Sequence, residues 1–330
     1  MLGTCPSEKK LINYISRIVR RGNIDNISRT VFYQSFFKRH NEIQWALLAS
    51  FVSRNAGWSM TDLESNWFRR MIPRNFRNEL FMTYERANWL IFSDAFPQLL
   101  IYEASKKYNV PFFHLLKEFH VSQFMVKEWE NFWKFQGLER LRTALIINEQ
   151  NLIQKPVIEH HHYQKVFHSV PYNIQEQMHL SNVIFPTLAG KLYGFYVEDF
   201  IKIKKRIDLG KRLAWLLFHS KESGQFHQFL SKVTHTGSRR DYEKYVKWST
   251  KKTSPILRMI FPSIHHERHQ LEDWSEKVDE HVVNDYFTPI KETKDYEMTT
   301  NVLLKQKELY VSMRIEEFLL PKKLFDEEKI

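Results

Sequence analysis

Helical periodicity dominates this chain, with apolar residues recurring at three- and four-residue intervals on successive faces. Near the N-terminus Leu11, Ile15, Ile18 and Val19 share one face, Ser7 stands where a cap belongs, and Gly22 follows as a stop. A second helix is predicted over residues 28–39, with Val31, Phe32 and Phe36 giving a wide apolar face. A third begins near Asn41 and runs to about Arg54, where Gly57 offers a left-handed terminator. Thr61 and Glu64 have the spacing of a capping box for the next helix. Pro73 separates that helix from one over 75–92, and Pro97 and Pro111 sit at first-turn positions of helices over 98–107 and 112–119. Ser122 caps 123–135, and Gly137 parts it from 138–152.

Residues 154–156 are the best boundary in the chain, though short for a linker. Beyond them, 157–168 and 173–180 read as paired helices around Pro171. Tyr196, Phe200, Ile203 and Ile207 repeat with helical spacing, which leaves Lys202, Lys204, Lys205 and Arg206 on the outer face. Asp208 stands as a cap for 209–219, and Ser238 with Asp241 forms a second capping box leading into 242–248. Residues 304–320 fit a helix, yet Val311, Met313 and Ile315 also alternate as in a strand. The fold expected is all-α: a compact multi-helix array, or two intimately packed helical lobes over 1–155 and 156–330.

Composition supports this. Nine glycines in 330 residues are few, and aromatic residues reach 15%. Glycine-rich phosphate loops and hairpin-rich β architectures both lose ground on that count. No apolar run approaches the length of a membrane span, and the N-terminus lacks the continuous apolar stretch of a signal peptide. One cysteine makes no internal disulfide, so a cytoplasmic setting is expected.

The net charge of +11 is unevenly placed: residues 186–262 carry +10 and residues 263–330 carry −6. A basic face of that size suits nucleic acid or another anionic partner. It equally suits an internal contact in which the acidic segment folds over the basic one.

Three constellations carry candidate chemistry. Glu159/His162 and Glu176/His179 are two Glu-x-x-His pairs, each sharing a helix face and together resembling part of a carboxylate-bridged di-iron centre. They would hold iron, manganese or zinc, but two further glutamates are not identifiable and the local richness in histidine makes such pairs easy to obtain by chance. The run Thr234–Asp241 places Ser238, Arg239 and Arg240 at a helix start, where free N–H groups and two arginines suit phosphate or carboxylate. The alternative is a plain cap with solvated arginines. Finally, Arg54, Asn55 and Asp62 surround a helix break, and Glu85, Arg86 and Asn88 interrupt an otherwise apolar helix. Buried, these six must pair with one another, either locking the packing or lining a pocket.

Four stretches resemble the YppC-like family of Bacillus and its relatives: Asn41 through Leu63, Arg86 through Glu103, Gly210-Lys-Arg-Leu-Ala-Trp-Leu-Leu-Phe218, and His235-Thr-Gly-Ser-Arg-Arg-Asp-Tyr-Glu243. The family is one of unknown function. The resemblance implies a bacterial cytoplasmic protein and carries over no catalytic residue. The leading expectation is a non-catalytic binding protein for a protein partner or an anionic ligand. A di-iron-like helical enzyme and a nucleic-acid binder through 186–262 are the alternatives.

Overall fold

The computed structural model describes residues 6–161, 163, 182–247, 254–268, 272–291, 294 and 296–319. The chain opens with α1 (Glu8–Gly22), α2 (Asn26–Arg39) and α3 (Gln44–Asp62). Asp25 caps α2 by accepting from Ser28 N at 2.7 Å. Asn26 Nδ2 donates to Ser53 O (2.7 Å) and Thr30 Oγ1 to Ser53 Oγ (2.8 Å), fixing α2 along α3. A short α4 (Asn66–Met71) leads into α5 (Arg74–Tyr108), and after a 3-10 turn come α6 (Gln123–Phe135) and α7 (Leu138–Ile153). Ser122 caps α6 from its Oγ, which accepts from Met125 N (3.3 Å).

A single hairpin follows, β1 (Asn182–Pro186) against β2 (Leu192–Tyr196), antiparallel with Ile184 opposite Gly194. Then come α8 (Ile203–His219), α9 (Ser223–Lys232), the one-turn helices α10 (Arg240–Glu243) and α11 (Leu257–Ile260), α12 (Glu280–Asp285) and α13 (Thr299–Leu319). The described fold is thus predominantly helical, with only this small sheet. One buried cluster runs from Leu11 to Val302, so residues on both sides of position 155 share a core. Phe51 of α3, Phe185 of β1 and Phe226 of α9 meet within it at ring distances of 4.4 and 5.5 Å.

Several local expectations are corrected. Gly57 does not end α3 but lies inside it, because its missing side chain admits Asn26 and His235 against the helix backbone. Thr61 is correspondingly in the last turn of α3, and Ser65 caps α4 instead. Pro97 does not start a helix: α5 runs through it without interruption. The periodic run from Tyr196 is divided, with Tyr196 closing β2 and helix resuming only at Ile203. Asp208 therefore falls inside α8. Arg206, expected outside, is 3% exposed and donates to Phe200 O (2.7 Å) and Gln150 Oε1 (2.9 Å). The ambiguous stretch 304–320 is helical as far as Leu319.

Candidate functional site

The two polar stretches that the sequence sets 180 residues apart come together. The α3 side chains Asn55, Trp58, Thr61 and Asp62 dock against β1 and the loop from His235 to Asp241. Asn55 bonds both ways with Ile184, donating from Nδ2 to its carbonyl and accepting its N–H, each at 2.9 Å. Asp241 is the hub of the loop. Its Oδ2 accepts from Trp58 Nε1 (3.0 Å) and Thr236 N (3.1 Å) and faces His235 Nδ1 at 3.2 Å; Oδ1 accepts from Thr236 Oγ1 at 2.5 Å. Burial pushes the Asp241 carboxyl up, but the hydrogen bond and charge of His235, with Thr236 and Trp58, hold it below the usual carboxylate range. His235 Nε2 reaches Asn26 Oδ1 (2.8 Å), and Asn26 is itself oriented by Ser53. Thr61 Oγ1 donates to Gly237 O at 2.7 Å.

The anion candidates lie in this same loop. Ser238 is fully buried, its Oγ donating to Ser254 O (2.7 Å). Arg239 is buried and donates to the Asp62 carboxylate from Nε and to Tyr242 OH from Nη1 (2.7 Å). Arg240 faces solvent. Arg54 differs from these: it is 2% exposed, and its Nε and Nη1 have no hydrogen-bond partner among the described residues. Burial lowers its pKa to about 10 against the opposing charge of Asp241.

Glu85, Arg86 and Asn88 make separate contacts. Glu85 pairs with Arg29 of α2 at 2.5 Å, both almost fully buried. Arg86 Nη1 donates to Glu267 O (3.0 Å) and its guanidinium lies 5.2 Å from the Trp89 ring centre. Asn88 returns to its own helix at Tyr84 O (2.8 Å). The six polar candidates therefore do not form one network: Asn55 and Asp62 bind β1 and the 235–241 loop, Glu85 pairs with α2, Arg86 reaches Glu267 and Asn88 stays within α5.

Of the proposed metal ligands, Glu159 is exposed and accepts from Gln154 Nε2 (2.8 Å). His162, Glu176 and His179 lie outside the described residues. Among the described residues no cluster of three or more His, Cys, Asp or Glu side chains could hold a metal ion.

The basic segment draws counterions from both directions. Arg239 and Arg258 reach back to Asp62 and Asp25 (2.6 Å for the latter), while Lys191 reaches forward to Glu297 at 3.4 Å.

A cleft of about 420 Å³ opens where α7, α8 and the 287–290 segment meet. Its construction begins at Gly210, where a Cβ would come within 2.7 Å of Ile146 Cγ2, so the glycine lets α8 cross closely over α7. From that crossing Arg140, Arg142 and Ile146 project on one side and Lys211, Trp215 and His219 on the other. Lys211 Nζ donates to Tyr286 O (2.9 Å) and Thr288 O (2.6 Å), which ties down the third wall carrying Phe287 and Ile290. An ammonium has three donors, so these two carbonyls leave one N–H over. Among the described residues no carboxylate lies within ion-pair distance of Lys211, and burial lowers its pKa. Arg140 is held by both oxygens of Glu128 (2.8 and 2.6 Å), and Glu139 stands 3.8 Å from Arg142 and 3.5 Å from His219.

None of these cleft residues stands out as a site in the sequence. The signal present was the close-packing glycine before Lys211, but the partner helix and the 287–290 wall are distant in sequence.

These helices belong to a helical family without an assigned activity. The chain is a member of the family described as "Protein of unknown function (DUF2515)", whose sequence model matches residues 21–308. It is 45% identical over 313 residues to "Uncharacterized protein YppC" of Bacillus subtilis (strain 168), covering 94% of this chain and 97% of that relative. No solved structure matches it. Among the described residues no helix is long and apolar enough to cross a membrane.

Proposed function

We propose that this protein is a non-catalytic binding protein whose ligand is a small organic anion held in the cleft between α7 and α8. The observation that carries this reading is Lys211: a half-buried ammonium in a metabolite-sized cleft, fixed by two carbonyls, with no carboxylate at ion-pair distance among the described residues, Asp208 acting on it only from farther off. A cation placed this way loses hydration and gains only the distant charge of Asp208, which Lys204 shares, so an anion entering the cleft supplies a direct partner. The cleft volume falls within the range of about 300–1,000 Å³ usual for small-molecule sites.

Thermal unfolding at low ionic strength tests it. A ligand that binds only the native state raises Tm, by an amount that grows with the logarithm of one plus the ratio of free ligand concentration to Kd. Organic carboxylates and phosphates at millimolar concentration are expected to raise Tm of the wild-type chain and to leave Lys211→Met unmoved. A panel of anions that shifts neither protein, or shifts both equally, contradicts the reading.

A further inference from the structure

We infer that the cleft takes an apolar monocarboxylate: a single carboxylate head on a hydrophobic body. This rests on the anion-binding reading above and makes it specific in two respects, charge and shape.

The charge follows from which cations already have partners. Arg140 is neutralised by Glu128 through two hydrogen bonds, and Arg142 has Glu139 beside it. Lys211 is the cation in the lining without such a carboxylate among the described residues. One negative charge therefore balances the site, and a second would have to draw Arg140 or Arg142 away from its own acid. A carboxylate accepts the remaining Lys211 N–H with one oxygen and leaves the other for Arg142 or water.

The shape follows from the rest of the lining. Trp215, Phe287 and Ile290, each partly exposed, give the cleft an apolar side, floored by the buried Ile146 and Ala214. A bare inorganic anion would occupy the cationic end and leave that side wet. A ligand that carries a ring or branched chain behind its carboxylate covers it and gains affinity from each apolar group buried there. The Arg140 guanidinium lies 4.4 Å from the Phe287 ring centre, so one face of that ring is already covered and the body packs on the Trp215 and Ile290 side.

Titration calorimetry with four probes separates the parts of the inference: phenylacetate, acetate, benzyl alcohol and phenyl phosphate. Phenylacetate is expected to bind about tenfold or more tightly than acetate, with benzyl alcohol giving no measurable binding. Phenyl phosphate as the dianion is expected to bind no more tightly than phenylacetate. Lys211→Met should reduce phenylacetate affinity at least about tenfold, while Trp215→Leu should reduce the phenylacetate preference but leave acetate unchanged. Acetate binding as tightly as phenylacetate would overturn the apolar body, and phenyl phosphate binding about tenfold tighter would overturn the single charge; either leaves anion binding standing. If no anion binds wild-type protein, both the inference and the reading beneath it fall.

Discussion

Arg268 Nη1 donates to Ser93 O at 3.0 Å, the carbonyl four residues before Pro97 in α5. A proline inside a helix has no N–H, so the i−4 carbonyl loses its donor. Here a side chain from a segment far along the chain restores it. The same guanidinium donates from Nη2 to Asp94 Oδ1 (3.1 Å), and Asp94 is a buried carboxylate that also accepts from Gln98 and Asn148, each at 2.7 Å. Arg268→Met is expected to cost about 3 kcal/mol, because it leaves a buried carboxylate without its cation. In a Pro97→Ala background the loss should be smaller by about 1 kcal/mol, since the substituted residue has an N–H of its own to offer Ser93 O. Denaturant unfolding of the four proteins in this cycle measures the coupling; strict additivity would show that Arg268 does not serve the proline.

Gly57 makes the converse case. Alanine is normally favoured over glycine within a helix by about 1 kcal/mol. In α3, however, a Cβ at position 57 collides with Asn26 Oδ1 and comes within 3.0 Å of His235 Nε2. Gly57→Ala is therefore expected to destabilise by about 1–3 kcal/mol, a reversal of sign caused by overpacking. A stabilised variant in urea unfolding would show that the Asn26–His235 contact yields readily.

Those two positions also explain how far the sequence could be read. The helices over 8–22, 26–39, 123–135 and 138–153 follow from apolar stripes carried by neighbouring residues, with side-chain caps at Asp25 and Ser122 but none from Ser7. Gly57 reads as a helix stop and Pro97 as a helix start because their local chemistry permits each; the groups that occupy those places, His235 against Gly57 and Arg268 on the carbonyl that Pro97 leaves free, lie more than 170 residues away. The β-hairpin escaped notice for a related reason. Its strands are buried at most positions, so the inside–outside alternation that announces a strand is missing from Val-Ile-Phe and Leu-Tyr-Gly-Phe. The polar residues around Arg54 and the loop around Ser238 were each conspicuous, but their union at Trp58, Asp62 and Asp241 is tertiary. The cleft is less legible still, since Arg142, Lys211 and Phe287 are ordinary residues until three separate segments bring them together.

Arg239 and Asp62 tie that union, both buried. The guanidinium is held above its ordinary pKa: burial opposes its charge, and Asp62 with Tyr242 more than offsets that. Asp62→Asn is expected to cost about 3 kcal/mol and to loosen the 235–241 loop from α3. Hydrogen exchange at Gly237 and Ser238 reads the second effect. Unchanged protection there would mean that Thr61 and Trp58 hold the loop without the ion pair.

Glu149 gives a pH dependence of known sign. Burial pushes its carboxyl up to about 7, against the pull of Gln150 and Trp45. Below the ordinary value of 4.5 the folded and unfolded chains both keep this proton, so Glu149 has no effect on stability there. Between 4.5 and 7 the unfolded chain releases it first, and stability falls as pH rises; above about 7 the penalty is constant. Glu149→Gln removes the titration. The variant is expected to gain about 2–3 kcal/mol relative to wild type at about pH 8, with most of that gain absent at about pH 4.5. Stability curves that stay parallel across this range would place Glu149 in a wetter setting than its surroundings indicate.

The central claim, that the α7–α8 cleft binds an organic anion at Lys211, is tested most directly at that side chain. Lysine side-chain NMR, with Lys211 assigned through Lys211→Arg, follows the Nζ environment with and without phenylacetate. The free protein is expected to show a titration midpoint below the ordinary lysine value, in keeping with burial, and saturating phenylacetate should move the resonance and raise the midpoint. A Lys211 resonance that neither moves nor changes its midpoint at concentrations where phenylacetate shifts Tm would contradict the account.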